Sequence, residues 1–264
     1  MGSMNFKPAI FQKPNASILK KEGFMCIDCH CHTNYSDGAK LDEVLKACRK
    51  KGIGVAITDH NEIKGAVEAL KQKEIMVIPG MEINTSDGPH LLAYFYNIAE
   101  LEDFHNKFIE PRRVFKPRMM VKLTMLETLD KLESYNCVTA LAHPYAPLWT
   151  NFNFALMKNP ENREVVKRVD AIEVISGLQR KISNLNAREL QVLFDKAATG
   201  GSDAHSAKDV GNCLTLAETN NAEDFLEEIR KKRTIAIGKE KIRQKARLAS
   251  KFIRKTIKIA VTGK

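Results

Sequence analysis

No run of apolar residues approaches the eighteen or so that a membrane span needs, and no apolar signal segment opens the chain. A cytoplasmic protein is therefore expected. Cysteine is scarce, at six residues, and does not make the doubled Cys-x-x-Cys signature of a structural zinc site. Without an export signal a disulfide framework is not expected. Cys26, Cys29, Cys31, Cys48, Cys137 and Cys213 read instead as buried small apolar side chains. Tryptophan occurs once, at Trp149. Excess charge is nearly absent from most of the chain. The formal net charge is +10, but residues 239–264 hold ten Lys or Arg against one Glu, so the preceding body is close to neutral. No internal repeat or low-complexity segment is present.

What remains is an ordinary globular composition: 264 residues, 44% hydrophobic and 28% charged, enough for one α/β domain or two small ones. Met1-Gly2-Ser3 reads as a vector-derived start ahead of a native Met4. Residues 1–23 read as a polar, irregular N-terminal extension wrapping the surface, with Pro8 and Pro14. From residue 24 to 238 short apolar runs alternate with helical patterns. Strands are predicted over 24–31, 54–58, 75–83 (interrupted by Pro79-Gly80), 91–96, 137–142, 170–175 and 197–202, with shorter ones near 213–216 and 234–237. Helices are predicted over 41–51, 64–72, 183–196 and 222–232, and 97–136 reads as mainly helical. Such alternation implies a parallel sheet, open or closed as a barrel.

The stretch Asp28-Cys29-His30-Cys31-His32 lies at the end of the first of these strands. With a period of two, Asp28, His30 and His32 should share one face and Cys29 and Cys31 the other. The thiols suit a helix-packed face and the histidines a polar mouth. His60, His90, His143 and His205 also stand at strand ends; only His105 lies in a helical stretch. Six histidines at equivalent places, beside Asp37, Glu82 and Asp203, offer nine ligands. That exceeds what one ion takes, so a cluster of two or three divalent ions is expected, with zinc, iron and manganese all compatible.

The same residues carry a resemblance. Asp28-Cys29-His30-Cys31-His32-Thr33 with Ser36-Asp37-Gly38 resembles the opening motif of the PHP (polymerase and histidinol phosphatase) family. Thr58-Asp59-His60-Asn61, Pro79-Gly80-Met81-Glu82 followed by His90, Ala142-His143-Pro144, Ile172-Glu173-Val174 and Gly201-Ser202-Asp203-Ala204-His205 resemble its later motifs, in order. The resemblance implies a distorted seven-stranded (β/α) barrel over 24–238 and a three-metal phosphoesterase site. One ion would take His30, His32, Glu82 and Asp203. A second would take Asp37, His60 and His205. A third would share Glu82 and add His90 and His143. A hydroxide bridging the ions would attack phosphorus. Arg112, Arg113, Lys116, Arg118 and, above all, Arg180 are the candidates to grip substrate phosphate. Glu173, Asp28 and Asp59 are read as supports for the ligands.

Residues 239–264 read as a basic amphipathic helix. Ile242, Ala246, Ala249, Ile253, Ile257 and Ala260 fall on one face and lysines and arginines cover much of the rest. Docking on the barrel combined with RNA or DNA contact is the favoured reading. The expected substrate is a nucleotide or a short oligonucleotide end, as for a nucleotidase or exonuclease. A small sugar or amino-alcohol phosphate is the alternative. A nucleic-acid-binding or accessory module with structural metals is the alternative outside enzymes. An amidohydrolase, which also uses His-x-His on a first strand, would want a bridging lysine on a middle strand, and none is present in the strands from Cys137 or Asp170.

Overall fold

The computed structural model describes residues 8–114 and 120–239. Among these residues twelve strands appear: β1 (Ala9–Ile10), β2 (Met25–Cys31), β3 (Gly54–Ile57), β4 (Val77–Asn84), β5 (His90–Phe95), β6 (Arg113–Val114), β7 (Met120–Val121), β8 (Cys137–Leu141), β9 (Ala171–Ser176), β10 (Ala197–Gly201), β11 (Cys213–Ala217) and β12 (Ile235–Gly238). Ten of them form one sheet in the order β1-β12-β11-β2-β3-β4-β5-β8-β9-β10, and β6-β7 is a separate hairpin.

The sheet nearly closes on itself. Beyond β10, Asp203 N donates to His30 O at 2.8 Å and His32 N to Ala204 O at 3.1 Å, so the last strand of the order meets β2. Gly201 permits that approach. A Cβ there would stand 2.2 Å from His30 Cβ and 2.6 Å from its backbone nitrogen. Gly201→Ala is therefore expected to cost about 1–3 kcal/mol through overpacking at the seam. Urea unfolding measures it, and an unchanged midpoint would refute the close contact.

Several expectations need correction. The main sheet has ten strands where the resemblance implied seven; β1, β12 and β11 add beside β2. The sheet is mixed, not parallel, since β4-β5, β5-β8, β11-β12 and β11-β2 pair antiparallel. Only residues 85–89 join β4 to β5, too short a link for a crossover. Pro79-Gly80 does not interrupt β4. Residues up to Pro79 pair with β3 and residues from Gly80 pair with β5, so the dipeptide sits where one partner hands over to the other. The N-terminal segment is not irregular. Ala9 and Ile10 add in parallel to Ala236 and Ile237, and Ala16–Lys21 is a helix capped by Asn15. A two-residue strand borrows an existing edge and leaves no periodic signal. Of residues 97–136, Ile98–Phe104 and Met125–Leu132 are α-helical, with the β6-β7 hairpin between them. The expected C-terminal helix lies, past Lys239, outside the described residues. Among the described residues no helix is long and apolar enough to cross a membrane.

The core has two parts. The inner one takes small or slim side chains from seven consecutive strands, Ile27, Ala56, Ile78, Leu92, Val138, Ala171 and Ala197 among them. Phe225, Leu226 and Ile229 of helix Ala222–Arg230 enter the same cluster, together with Met25, Met76 and Tyr96 at the strands' far ends. That helix stoppers one end of the barrel. The outer, larger core lies between the sheet and the remaining helices.

The cysteines report a break in β2. Cys29 belongs to the inner cluster, whereas Cys26 and Cys31 belong to the outer one. The expected alternation is wrong at this point, because the pairing of β2 with β3 shifts register between Asp28 and Cys31. A bulge inserts a residue and re-aims the side chains beyond it. It turns His30 and His32 to the open end. Cys26 and Cys29, three residues apart, fall on opposite sides of the strand by alternation alone, so their Cys-x-x-Cys spacing does not bring two thiols to one side.

Candidate metal centre

The parallel strands β2, β3, β8, β9 and β10 end at the unstoppered mouth, and antiparallel β5 begins there. His30 and His32 come from the end of β2, His60 from the turn after β3, His90 from the first residue of β5, His143 from just past β8, and Asp203 and His205 from just past β10. Glu82 projects from within β4, and Asp37 stands on the loop between β2 and helix Leu41–Lys51. The chain bends sharply at three of these exits. Asn61, His143 and Asp203 all have left-handed φ, at 50°, 25° and 50°. For residues with a Cβ this costs of order 1 kcal/mol each and needs support from the surroundings.

Glu82, fully buried, is the hub. His90 Nδ1 lies 2.9 Å and His143 Nε2 3.1 Å from its Oε1. His60 Nδ1 lies 2.7 Å, His32 Nε2 3.3 Å and His30 Nε2 3.4 Å from its Oε2. Asp203 Oδ1 stands 3.2 Å from His32 Nε2 and 3.7 Å from His30 Nε2. The two Nε2 atoms of His30 and His32 are 3.1 Å apart. On the outer side, Asp37 Oδ2 is 3.2 Å from His205 Nε2, and Asp37 Oδ1 is 3.8 Å from His60 Nε2.

All nine ligand candidates therefore come together. Ligand atoms within 4.8 Å of one another form four groups: His32, Asp37, His60 and His205; His30, His32 and Glu82; His30, His143 and Asp203; His60, Glu82 and His90. His30, His32, His60 and Glu82 belong to two groups each, so the ions of such a cluster would share ligands.

The electrostatics suit cations. Burial opposes charge on Glu82, yet His60, His30 and His90 hold its carboxyl well below the usual range. Asp203 and Asp37 are likewise held down against burial, by His30 and His32 and by His60 and His205 respectively. Burial would depress His60 and His205, but Glu82 and Asp37 lift the first to about 10, and Asp37 with Asp203 lift the second to about 9. His32 goes the other way, to about 4, through burial and the neighbouring His60 and His205. Three carboxylates are thus balanced by protons on imidazoles. His32 Nδ1 and His143 Nδ1 remain buried without a hydrogen-bond partner. Divalent ions would replace the imidazole protons and engage such atoms, so the residues present fit a metal cluster.

Supporting contacts aim the imidazoles. Glu173 Oε1 accepts from His30 Nδ1 at 3.0 Å, and its Oε2 accepts from His143 N at 2.8 Å. The Asp203 carbonyl accepts from His205 Nδ1 at 2.9 Å. Asn84 Oδ1 lies 2.9 Å from His60 Nδ1. On His30 and His205 these contacts set Nδ1 outward and leave Nε2 toward the centre, whereas His60 turns Nδ1 to both Asn84 and Glu82 and Nε2 toward Asp37. Asp59 accepts from Thr33 N, Thr33 Oγ1 and Ser36 Oγ at 2.6–2.7 Å, fastening the loop that carries Asp37. Asp28 accepts from Ser202 N at 2.8 Å, from Ser202 Oγ and from Gly211 N, tying β2 to the segment that bears Asp203. The sequence reading missed Asn84, though its place two residues after Glu82 puts it on the same face of β4.

The basic candidates fare differently. Arg112 caps the preceding helical turns, donating to Lys107 O and Phe108 O at 3.1 and 3.3 Å. Arg113 pairs with Glu110 and with the buried Glu62, two residues past His60, at 2.9 and 3.2 Å. Arg180 is exposed at the start of helix Lys181–Leu193 and makes no hydrogen bond or ion pair with the nine residues among those described. Arg118 and Lys116 lie outside the described residues.

Comparison with known proteins gives the family and the fold. The PHP domain family matches residues 28–172, and the PHP-associated family matches 181–234. An uncharacterised protein of Methanocaldococcus jannaschii is 30% identical over 200 residues, which is 74% of this chain and 72% of that protein. A two-domain protein from Bacteroides vulgatus, described as containing a predicted PHP-like metal-dependent phosphoesterase, superposes with a TM-score of 0.60 at 17% identity, over 90% of this chain and 70% of that one. The lesion-specific endonuclease Q of Pyrococcus furiosus does so with a TM-score of 0.62 at 16% identity, over 79% of this chain and 56% of that one. At such identities these structures share the fold.

Proposed function

This chain belongs to the PHP domain family, and from that premise we propose a metal-dependent phosphoesterase acting on a nucleotide or the end of a short oligonucleotide. The observation that carries the reading is the convergence of five imidazoles on one buried carboxylate, Glu82, with Asp203 and Asp37 flanking it. His30, His32, Asp37, His60, Glu82, His90, His143, Asp203 and His205 would hold two or three divalent ions. Such ions lower the pKa of a water toward neutrality and neutralise charge on a phosphoryl group.

The chain's own contribution is orientation. Glu173 and the Asp203 carbonyl hold Nδ1 of His30 and His205 outward, so that each would offer Nε2 to an ion without turning its ring, and Asn84 fixes the ring of His60. Arg113, anchored by Glu62 beside His60, is the basic side chain best supported as a phosphate contact; Arg180, Arg112 and Arg118 rank behind it.

A nucleotide is favoured by the loop leaving His143. Ala146 N donates to His143 O and Phe152 N to Pro144 O, both at 2.8 Å. The carbonyl of Trp149 packs against Gly88, two residues before His90, so closely that a Cβ on Gly88 would overlap it. The loop thus grows from one proposed ligand and braces beside another, and it presents Trp149 at 42% exposure. An aromatic there is placed to stack on a base. Endonuclease Q, whose structure with a 27-mer duplex has an abasic lesion at the active site, is a nucleic-acid enzyme on the same fold.

The test is turnover of aryl phosphates, nucleotides and 5′-phosphorylated oligomers under manganese, zinc or ferrous iron, with His60→Ala and Asp203→Ala beside the parent. Metal-dependent turnover lost in both variants is expected. A fully metallated protein that turns over none of these esters would sink the proposal. Trp149→Ala should raise KM for a nucleotide about tenfold, from a stacking contribution of about 1–3 kcal/mol, and leave KM for an aryl phosphate nearly unchanged. Equal effects on both would rule out base stacking.

A further inference from the structure

A hollow of about 630 Å³ lies beside the stoppered end of the barrel, within the range of about 300–1,000 Å³ in which small ligands are held. Its floor is made where β2, β3 and β4 begin. Phe24, Met25, Ile53, Ile75 and Met76 line it, Ile53 and Ile75 buried and the others half-buried. The metal centre stands at the opposite end of the same strands. The seven residues of β2 alone span about 20 Å. Two cations stand on the rim. The last turn of helix Ala16–Lys21 brings Lys20, and the last turn of helix Leu41–Lys51 brings Arg49. The two helix ends meet there: a Cβ on Gly52 would lie 3.7 Å from Lys20 Nζ. The ammonium also bears on Cys26 in the wall, whose thiol burial pushes up to about 11 while Lys20 draws it down.

Cations are common in last turns, where they offset carbonyls left without partners. Here the backbone serves several of those carbonyls. Gly23 N and Phe24 N donate to Lys20 O and Leu19 O at 3.1 and 3.0 Å, and Gly52 N and Ile53 N donate to Arg49 O and Cys48 O, both at 3.1 Å. Lys20 makes no side-chain hydrogen bond or ion pair among the described residues. Arg49 makes one ion pair among them, at 3.5 Å from its Nη1 to Oε2 of Glu74, a carboxylate 75% exposed on the same rim. A bare anion would leave the apolar floor uncovered, and a neutral apolar molecule would leave the two cations unused. We propose that this hollow binds a nucleoside monophosphate, with its phosphate between Lys20 and Arg49 and its base on the floor. A guanidinium matches phosphate oxygens two at a time, and an ammonium adds a point charge beside it. Phe24 with the thioethers of Met25 and Met76 makes a surface on which a base can lie, and Asn220 on the rim carries an amide for the base's polar edge. The inference goes beyond the proposed reaction and does not rest on it.

The test photolabels the full, metal-loaded chain with 8-azidoadenosine 5′-monophosphate and maps the labelled peptides, which separates this hollow from the metal centre. Label is expected within 20–27, 74–76 or 219–220. AMP should suppress it at concentrations where adenosine, inorganic phosphate and decanoate do not. Lys20→Ala with Arg49→Ala, two exposed positions, should cut labelling there about tenfold or more while the thermal melt stays in place. Phe24→Leu should weaken suppression by AMP several-fold. No label in these peptides, or label undiminished in the double variant, would overturn the proposal. Suppression by adenosine as strong as by AMP would overturn it by removing the phosphate from recognition, and suppression by decanoate as strong as by AMP would overturn it in favour of an amphiphilic carboxylate. None of these readouts is turnover, so failure here and failure of the phosphoesterase reading are distinct results.

Discussion

Glu82→Gln is expected to leave a folded protein that retains little metal and loses about a thousandfold or more in kcat/KM, roughly 4 kcal/mol of transition-state stabilisation. The substitution keeps the shape and removes the charge. Glu82 lies within 3.4 Å of ring nitrogens from five histidines. An amide offers one oxygen and one NH2, so two or three of those five contacts would face a donor. The remaining carboxylates, Asp37 and Asp203, sit at two sides of the cluster and do not bridge it. Metal content by elemental analysis, with kcat/KM and circular dichroism, checks this. A Glu82→Gln variant with full metal and near-parental turnover would mean that Glu82 is not the hub of a metal cluster.

Metal should dominate stability, and its effect should depend on pH in a defined direction. In the metal-free protein His60 and His205 have folded pKa values of about 10 and about 9, above the ordinary 6.5. Each contributes stability that is complete below 6.5 and fades as pH rises through its folded value. The metal-free protein should therefore lose stability from pH 6.5 up to about 10. His32, held down at about 4, loses its contribution only on the acid side of 6.5, outside that window. Metal ions compete with the same protons, so binding strengthens over the same interval. At a free ion concentration a thousand times Kd the gain is about 4 kcal/mol. For a chain of this size that is roughly 10 °C in Tm. Melts in chelator and in manganese at pH 6.5, 7.5 and 8.5 should show curves that diverge as pH rises. Parallel curves, or no response to manganese, would mean that the imidazole protons are not what the ions displace.

Much of the proposed centre was legible because its residues sit at the points where chain meets mouth. His-x-His and Asp-x-His spacings exploit the strand period, and Glu82 follows an apolar run. What stayed hidden depends on pairing between distant segments. The bulge that sends Cys29 inward and Cys31 outward is visible only once β2 is set against β3. The strand Ala9–Ile10 exists only because β12 offers an edge. Pro79-Gly80 looks like a break, but it falls where β4 changes partner and needs no interruption. Basic side chains were the least legible. Arg180 was favoured for its loop, yet its neighbour in sequence says nothing about how far a long exposed side chain stands from the metal face. Arg113 is set by Glu62, a residue about fifty positions away in the chain.

The seam between β2 and the segment after β10 consists of hydrogen bonds from the backbones of His30, His32, Asp203 and Ala204. The two stretches of backbone that latch the barrel are the same two that carry three of its proposed ligands. A fluctuation that unlatches the barrel must also scatter the ligands, and ions bound there must resist unlatching. Heat inactivation should accordingly track metal release and not later loss of helix. The same linkage narrows the routes open to mutation: a changed ligand at this seam alters the closure of the fold at the same stroke, whereas a change at Asp37, on its loop, leaves the latch shut.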